Sequence, residues 1–520
     1  MKAVIMAGGT GTRLRPLTCD IPKPMVPILN KPVMEYSIEL LKRYGIKDIA
    51  VTMAYLPSVI TDYFEDGREW GVNLNYFIED VPLGTGGSVK NADSFLNDTF
   101  IVISGDALTD LNLQKAIDYH RKKKSKATLV LKKEAVPLEY GVIITDDDGK
   151  IIRFLEKPSW GEVFSDTVNT GIYILEPEVL DYYKKGENFD FSKDLFPRLL
   201  KDEIPMYGYI TNDYWNDIGD LDSYMKTQFD LLDGKVDFLV NCNQIKEGIW
   251  VDEGTKLGEN VNLKAPVYIG KNCIINNSVN IAPYTIIGEN CEIGGKSVLK
   301  RSILWKNIRI GKDTHLSGTT ICSNTHIKNK VNIYEHTAIG SGSILSDGVV
   351  VKPNIKIWPE KRIGEEMIVN ENLVWGTKRS KTIFGYKDIS GDINIDITPE
   401  FASRLGSAYA SSFKDEATLV VSSDKSNACD LIKNSFISGI LSTGASVIHI
   451  KGATMSMNRF AVRHYNANGG IHIGIDPFKK NQAHIEFVDK NGANIDRNTE
   501  RKIENLLNRD DFPKDVVQKG

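Results

Sequence analysis

Over residues 1–235, short apolar runs alternate with stretches of helical spacing. Lys2–Ala7, Asp48–Ala54, Asn73–Ile78 and Phe100–Ser104 read as buried strands. Met34–Tyr44, Pro57–Phe64 and Leu111–Lys122 place their apolar residues on one helical face. This alternation predicts an α/β domain with a mostly parallel sheet. Gly141–Thr145 and Lys150–Leu155 flank Asp146-Asp147-Asp148-Gly149, a hairpin signal.

From Val251 the period changes to six. Val251, Leu257, Leu263, Ile269, Ile275, Ile281, Ile287, Ile293, Leu299 and Trp305 form one uninterrupted apolar row. A small or β-branched residue sits two positions before most of them, Cys273 and Cys291 included. The phase slips by one before Ile310 and again before Ile327, then runs on to Ile363. A six-residue period belongs to a parallel β-helix whose three faces are short strands. Residues 18 apart should then stack, which places Cys273 beside Cys291 as small packing side chains. His315, His326 and His336 are expected on the surface of the coil, with no orienting partner that would make any of them a base for acyl transfer. Beyond about Lys378 the hexad is gone. Pro399–Phe413 and Asn427–Leu441 read as helices, and Thr418–Ser422 and Ser446–His449 as strands, so a second α/β unit is expected. The polar, basic stretch Gly376–Lys381 reads as a linker. The predicted domains are 1–235, 245–370 and 376–520.

Composition narrows the classes. The 520 residues carry 64 Lys+Arg against 68 Asp+Glu, a net charge of −4 without the basic excess of a general nucleic-acid binder. Hydrophobic residues at 41% and charged residues at 25% exclude wholesale disorder. The longest apolar run near the start is Ala3–Ala7, shorter than the ~7–15 residues of a secretory segment and the ~20 of a membrane helix. No two of the six cysteines form a C-x-x-C pair. A cytoplasmic protein with reduced thiols is the expectation, with neither nucleic acid nor membrane as partner.

The sharpest chemical signal follows the first strand: Ala7-Gly8-Gly9-Thr10-Gly11-Thr12-Arg13-Leu14. Glycines let backbone N–H groups close around phosphate oxygens. The loop is neither a dinucleotide fingerprint, whose last glycine would fall on Leu14, nor a Walker loop, which needs Gly-Lys-Ser/Thr. Arg13 and Lys23, the latter stiffened by Pro22 and Pro24, supply cations beside it.

Gly8 to Thr18, with Pro22-Lys23-Pro24, resembles the signature loop of the sugar-1-phosphate nucleotidyltransferases. Five later segments continue the resemblance in order. Pro82-Leu83-Gly84-Thr85-Gly86-Gly87 resembles the base-binding loop, where alanine is more usual than Gly86. Gly105-Asp106 and Trp215-Asn216-Asp217-Ile218-Gly219 resemble the two metal-binding segments. Phe154-Leu155-Glu156-Lys157-Pro158 resembles the sugar-phosphate motif, and Asn169-Thr170-Gly171 the sugar contact. The resemblance implies a Rossmann-like α/β domain, with a left-handed β-helix and a further α/β domain behind it.

It also implies a reaction in which a sugar 1-phosphate attacks the α-phosphate of an NTP. Arg13 and Lys23 are the expected catalytic cations. Gly8, Gly9, Gly11, Thr12, Leu83, Gly84, Thr85 and Gly86 are expected on the nucleotide. Gly141, Glu156, Lys157, Asn169 and Gly171 are expected on the sugar phosphate. Asp106 and Asp217 are expected on Mg²⁺, the implied cofactor. The nucleophile is already ionised, so no general base is required.

The last domain resembles the first domain of phosphomannomutases and phosphoglucomutases. Phe384-Gly385-Tyr386-Lys387-Asp388-Ile389-Ser390-Gly391 stands where F-G-T-D-G-x-R-G is usual, so an arginine is replaced by Ser390. A second arginine position falls on Ser426. In Gly469-Gly470-Ile471-His472-Ile473-Gly474-Ile475-Asp476-Pro477 the phosphorylated serine is replaced by Asp476. The expected domain is inactive as a mutase, with a regulatory or oligomerising role. The mutase-like tail favours GTP and mannose 1-phosphate as substrates and GDP-mannose as product. A glucose-1-phosphate uridylyl-, thymidylyl- or adenylyltransferase is the alternative, and a non-catalytic subunit that binds a nucleotide sugar is another. The flat β-helix faces suit a homo-oligomer.

Overall fold

The computed structural model describes all residues except 135–139, 157–164, 241, 375–382, 386–387, 395, 414–416, 477–478, 480 and 510–520. The expected linker and Lys157 lie outside the described residues. The chain divides into two compact units, Met1–Lys361 with Ile368–Asn372, and Arg362–Met367 with the chain from Leu373 on.

The first unit begins with β1 (Lys2–Met6), α1 (Val33–Arg43), β2 (Asp48–Met53), α2 (Pro57–Phe64), β3 (Asn73–Ile78), α3 (Gly84–Asn91) and β4 (Phe100–Ser104). Then come β5 (Ala107–Thr109), α4 (Leu113–Lys123), β6 (Ala127–Lys133), β7 (Gly141–Thr145), β8 (Ile151–Glu156) and β9 (Thr167–Leu175). The domain ends with α5 (Phe196–Lys201), β10 (Met206–Thr211), β11 (Trp215–Asp217) and α6 (Leu221–Leu232). The main sheet runs β8-β7-β9-β4-β1-β2-β3, with β6 and β10 joined alongside β9. β1, β2, β3 and β4 are parallel, as the alternation predicts. The other half departs from the expectation: β9 is antiparallel to β4, β6 and β7. The reason is local. β7 and β8 form the hairpin signalled by Asp146–Gly149, and β9 returns along its edge instead of crossing over. Val4, Ala50, Phe100, Val102, Leu129, Tyr173, Phe191 and Phe196 form the core on one face of the sheet.

The β-helix follows as stacked parallel strands of two or three residues. One face runs from the hairpin Gln244–Lys246/Ile249–Val251 through eight strands to Lys356–Ile357. Another runs from Asn262–Leu263 to Ile368–Val369. Ile269, Ile287, Ile293 and Leu299 are fully buried along its axis. Cys273 and Cys291 stack as predicted, each thiol facing a carbonyl, Gly288 O at 3.0 Å and Trp305 O at 3.1 Å. The hexad reading needs one correction. Leu304, not Trp305, pairs with Ile287 below and Ile321 above and points into the axis. The slip therefore precedes Trp305, and mid-helix partners such as Leu304 and Ile321 are 17 apart rather than 18. The indole explains the shift: its Nε1 donates to Tyr224 OH at 2.9 Å on the neighbouring domain.

The second unit holds β12 (Asp388–Asp392), α7 (Pro399–Ser411), β13 (Thr418–Ser423), α8 (Asn427–Leu441), β14 (Ser446–Ile450) and α9 (Met455–His464). It closes with β15 (Gly469–Ile475), β16 (Gln482–Asp489) and α10 (Arg497–Arg509). Its sheet order is β12-β16-β15-β13-β14, with β13 parallel to both β14 and β15. One sheet face buries Leu419, Val421, Ile471, Ile473, Ile485 and Phe487 against Tyr409 and Phe436. Among the described residues, no helix is long and apolar enough to cross a membrane.

The corrected register is testable. Leu304→Ala removes an axial side chain and should cost about 2–5 kcal/mol. Trp305→Phe loses one hydrogen bond and should cost about 1 kcal/mol. Urea unfolding of both variants checks the order; a larger cost for Trp305→Phe would restore the uninterrupted hexad.

Candidate active site

Three chain segments meet at the ends of β1 and β4. The glycine loop leaves β1, and Gly11 adopts φ +60°, where a side chain is strained. A Cβ there would also lie 3.0 Å from Thr18 Cγ2. Thr18 Oγ1 closes the loop by donating to Gly11 O at 2.7 Å. Leu14 N and Arg15 N bond back to Gly11 O and Thr12 O, which shapes residues 11–15 into a tight turn.

The two aspartates come together through a two-stranded ribbon. Asp106 stands two residues past the end of β4, and β5 leaves it antiparallel to β11, with Asp217 opposite Ala107. Ile218 N donates to Asp106 O at 3.2 Å and fixes the crossing. Between the carboxylates lies Lys23 Nζ, 2.5 Å from Asp106 Oδ2 and 3.1 Å from Asp217 Oδ1. Lys23 is only 9% exposed although it carries a charge. Burial works against its ammonium, yet the charges of Asp106 and Asp217 lift its pKa well above the ordinary range. Burial also acts to raise Asp106, but the Lys23 charge and hydrogen bonds from Lys23 and Ser104 hold it below its usual value. Asp217 moves the other way, pushed up by burial and then by the Asp106 charge, against Lys23 and Arg13. The Arg13 guanidinium lies beside this pair: a Cβ on Gly219 would stand 3.2 Å from Asp217 Oδ2 and 3.3 Å from an Arg13 terminal nitrogen.

Oxygen donors in a pair suit a hard cation. Among the described residues, no group of three or more His, Cys, Asp or Glu side chains could hold a metal. Two carboxylates that already share one cation fit an ion that takes one or two carboxylates and completes its shell with phosphate and water, as Mg²⁺ does.

The base loop opens α3. Gly84 has φ +73°, and a Cβ on it would press on Phe189 O at 2.7 Å. A Cβ on Gly86 would meet the Phe189 ring and carbonyl at 3.1 Å, which accounts for glycine where alanine is more usual. Two carboxylates missed in the sequence hold this loop. Glu79, buried at the end of β3, accepts Leu83 N at 3.0 Å and the Ser88 hydroxyl. Asp190 accepts Thr85 Oγ1 at 3.0 Å and caps the π-helical turn Phe191–Leu195 through Ser192 N and Lys193 N. An aspartate just before the helical spacing of Phe191, Leu195 and Phe196 is a capping signal that could have found Asp190; nothing comparable marks Glu79.

The sugar-side residues also converge. Gly141 and Glu156 are direct partners on β7 and β8, and Val168, next to Asn169, pairs with Val142. β9 bulges between Asn169 and Tyr173, which re-aims Asn169. Its Nδ2 donates to Tyr173 OH at 2.9 Å and lies 3.4 Å from Ser192 Oγ, and its Oδ1 accepts Gly171 N at 3.1 Å. Ser192 thereby links the sugar contact to Asp190 and the base loop. Trp215 Nε1 donates to Thr170 O at 3.0 Å, so the strand that carries Asp217 also touches the sugar segment.

A glycine loop after β1, a second glycine loop opening α3, a polar wall on β7–β9 and a paired-carboxylate centre lie around one Rossmann-like sheet, in the order the nucleotidyltransferase resemblance expects. Three family models match successive stretches of the chain. Residues 2–234 match the nucleotidyl transferase model, 246–357 the EIF2B subunit epsilon LbH domain, a left-handed β-helix, and 381–514 the phosphoglucomutase/phosphomannomutase alpha/beta/alpha domain I. A UTP–glucose-1-phosphate uridylyltransferase of Synechocystis is 40% identical over 288 residues, 52% of this chain and 74% of that protein. A mannose-1-phosphate guanylyltransferase of Mycobacterium tuberculosis is 35% identical over 234 residues, 45% of this chain and 65% of that protein. A mannose-1-phosphate guanyltransferase of Schizosaccharomyces pombe is 32% identical over 279 residues, 52% and 74% of the two chains. The chain belongs to the sugar-1-phosphate nucleotidyltransferases.

The strand bearing Asp217 is anchored from behind by Asp230 on α6. Tyr214 OH donates to Asp230 Oδ2 at 3.0 Å, and Lys226 and Lys235 pair with the same carboxylate at 2.8 and 2.7 Å. Burial acts to raise the Asp230 pKa, but the hydrogen bonds from Lys226, Lys235 and Tyr214 outweigh it and hold it low. A depressed folded pKa gives stability that is complete above the unfolded value of about 3.9 and is lost as pH falls through the folded value. Asp230→Asn should therefore cost on the order of 1 kcal/mol at pH 7, with the gap to the parent closing in acid. Urea unfolding from pH 7 down to 3 reads this; a gap that persists unchanged in acid would contradict it.

Proposed function

We propose that the first domain transfers a guanylyl group from GTP to mannose 1-phosphate with Mg²⁺, giving GDP-mannose and pyrophosphate. The observation that carries a catalytic rather than a merely binding reading is the cluster of buried Lys23 with the half-buried Asp106 and Asp217, with Arg13 beside it. Asp106 and Asp217 would hold the metal, which when bound supplies charge neutralisation at the phosphates. The glycine loop and Arg13 bind the nucleotide phosphates, and Glu79 and Asp190 fix the base loop. The bulged Asn169 and the Gly141 hairpin orient the sugar, whose ionised phosphate attacks in line without a base. Lys23 bridges the two carboxylates, and it stands within reach of the glycine loop because its Cβ would be 3.2 Å from a Cβ on Gly11.

Guanylyltransferases among the relatives support the substrate pair. One observation favours a second reading, UTP with glucose 1-phosphate: the Synechocystis uridylyltransferase has the higher identity, 40% over 288 residues. Pyrophosphate release from a panel of NTPs and sugar 1-phosphates separates them. Fastest turnover with GTP and mannose 1-phosphate is expected. Asp106→Asn and Asp217→Asn should each lower metal-dependent kcat at least ~100-fold, with the far-UV circular dichroism unchanged. Full activity in either variant removes the metal role.

The same proposal makes the second unit inactive as a mutase. Ser426, at an expected arginine position, is instead the N-cap of α8 and accepts Cys429 N at 3.1 Å. Ser390 donates to Asp388 Oδ2 at 2.7 Å. Asp476, at the nucleophile position just after β15, accepts Lys479 N at 3.1 Å. An aspartate there supplies fixed charge but no hydroxyl to carry phosphate. No interconversion of mannose 1- and 6-phosphate by the full chain is expected in a coupled assay, and turnover would refute the point.

A further inference from the structure

The β-helix presents three rows of outward side chains, and they differ in kind. On the face that begins at Asn262–Leu263, the outward row is Asn262, Asn280, Val298, His315, Asn332 and Val350, polar at most positions. On the face that begins at Ile249–Val251 the row is Tyr268, Ile286, Ile303, Thr320 and Ala338. These five are 0–4% exposed. This face packs on the nucleotidyltransferase domain, as Trp305 on Tyr224 and Asn30 Nδ2 on Tyr268 OH at 3.3 Å show. The next residue in the same row is Lys356, paired with Ala338. It is the row's charged member after a series of buried, uncharged side chains.

Lys356 is set rigidly. Its strand is laddered to Thr337–Ile339, and its own N–H donates to Asn372 Oδ1 at 2.8 Å. Its Nζ donates across the domain boundary to Arg13 O at 3.4 Å, in the middle of the glycine loop. Within the loop, Leu14 N bonds to Gly11 O, Arg15 N to Thr12 O and Thr18 Oγ1 to Gly11 O, and from outside Tyr55 OH donates to Thr18 O at 3.3 Å. A second contact from the β-helix reaches α6 through His336, which was expected to have no partner and pairs at the surface. His336 Nδ1 is 2.9 Å from Asp222 Oδ1 in the first turn of α6, five residues after Asp217.

We infer that Lys356 is a positioning residue for nucleotide binding, through which the β-helix fixes the glycine loop of the catalytic domain. A loop that wraps phosphate must be ordered before or during binding, and the entropy of ordering it is charged against affinity. An ammonium on a backbone carbonyl, held by a stiff solenoid, removes part of that cost in advance. It also adds a cation beside a site built for polyanions. The inference rests on the family's reaction in the first domain but not on the identity of the NTP or sugar.

The test uses the full chain as parent, Lys356→Met and Lys356→Arg. Methionine keeps most of the aliphatic stem of a half-buried residue and removes the charge. Arginine keeps a cationic donor. Amide hydrogen exchange over residues 8–17 without substrate reads loop order, and initial rates read the two KM values. For a single hydrogen bond from a charged donor, Lys356→Met should speed loop exchange and raise the NTP KM about 3- to 10-fold. The KM for sugar 1-phosphate should hold, and Lys356→Arg should restore both quantities. Unchanged loop exchange in Lys356→Met overturns the inference. So does an equal rise in both KM values, or an arginine variant that behaves as methionine. If the parent turns over no NTP and sugar pair, the reaction reading fails, and the exchange comparison still decides the role of Lys356 in ordering the loop.

Discussion

Two carboxylates in a partly buried cleft stay ionised together only when a cation lies between them, and this requirement organises the first domain. Asp106 and Asp217 are adjacent because β5 and β11 pair and Ile218 N bonds Asp106 O. Like charges a few ångströms apart in a medium poorer than water repel by several kcal/mol, and one of them protonates unless a positive group intervenes. Lys23 is that group. The opposite directions of the two pKa displacements show how unevenly one ammonium serves them: Asp106, nearer to it, is held ionised, and Asp217 is pushed up. The turn Pro22-Lys23-Pro24 must then lie against the ends of β1 and β4, which sets the path of the whole signature segment around the phosphate loop.

The same constraint reaches the β-helix through α6. This helix starts four residues after Asp217, with its N-cap Asp220 and Ser223 forming a reciprocal capping box. It then buries Tyr224, whose hydroxyl donates to Pro27 O and accepts from Trp305 Nε1 and Gln228 Nε2. One donor and two acceptor sites are all that a hydroxyl offers, and all three are used. A buried hydroxyl with complete partners is costly to displace. The short strand that carries Asp217, the helix behind it and the indole at the corner of the solenoid are therefore one connected structure. The register slip that moves Leu304 inward and Trp305 outward is what makes that connection.

Much of this was legible in the sequence. Pro57–Phe64, Asn73–Ile78, Phe100–Ser104 and Asn427–Leu441 occur with the bounds their periodicity predicts. Local spacing is a direct record of which face a helix or strand buries. The glycine loop and Asp106 follow the ends of β1 and β4, as their motifs expect, whereas Gly141 opens β7 and Asn169 lies within β9. What spacing could not show is pairing between distant segments. The antiparallel course of β9, the contact of Thr85 with Asp190 and the link from Asp190 through Ser192 to Asn169 all depend on where the chain returns in space. The Trp305 misreading has a different cause. Both Leu304 and Trp305 are apolar, and a hexad count cannot tell a side chain buried in the axis from one buried against a neighbour.

In the second unit the replaced residues have found work of another kind. An arginine that binds phosphate must keep its guanidinium free for the ligand, whereas Ser426 spends its oxygen on the first turn of α8. Ser390 and Asp476 likewise bond within their own segments. Each of these contacts stabilises the local backbone, and none leaves a cation to receive a phosphate. The core around Tyr409, Phe436 and Phe487 does not depend on those positions, because it lies on the apolar face of the sheet. Loss of ligand-binding side chains with retention of the core is what selection for a folded domain alone would leave, and it agrees with the inactive reading proposed for this unit. In the first domain the charged residues point at one another across three segments, an arrangement that costs desolvation and that folding alone would not favour.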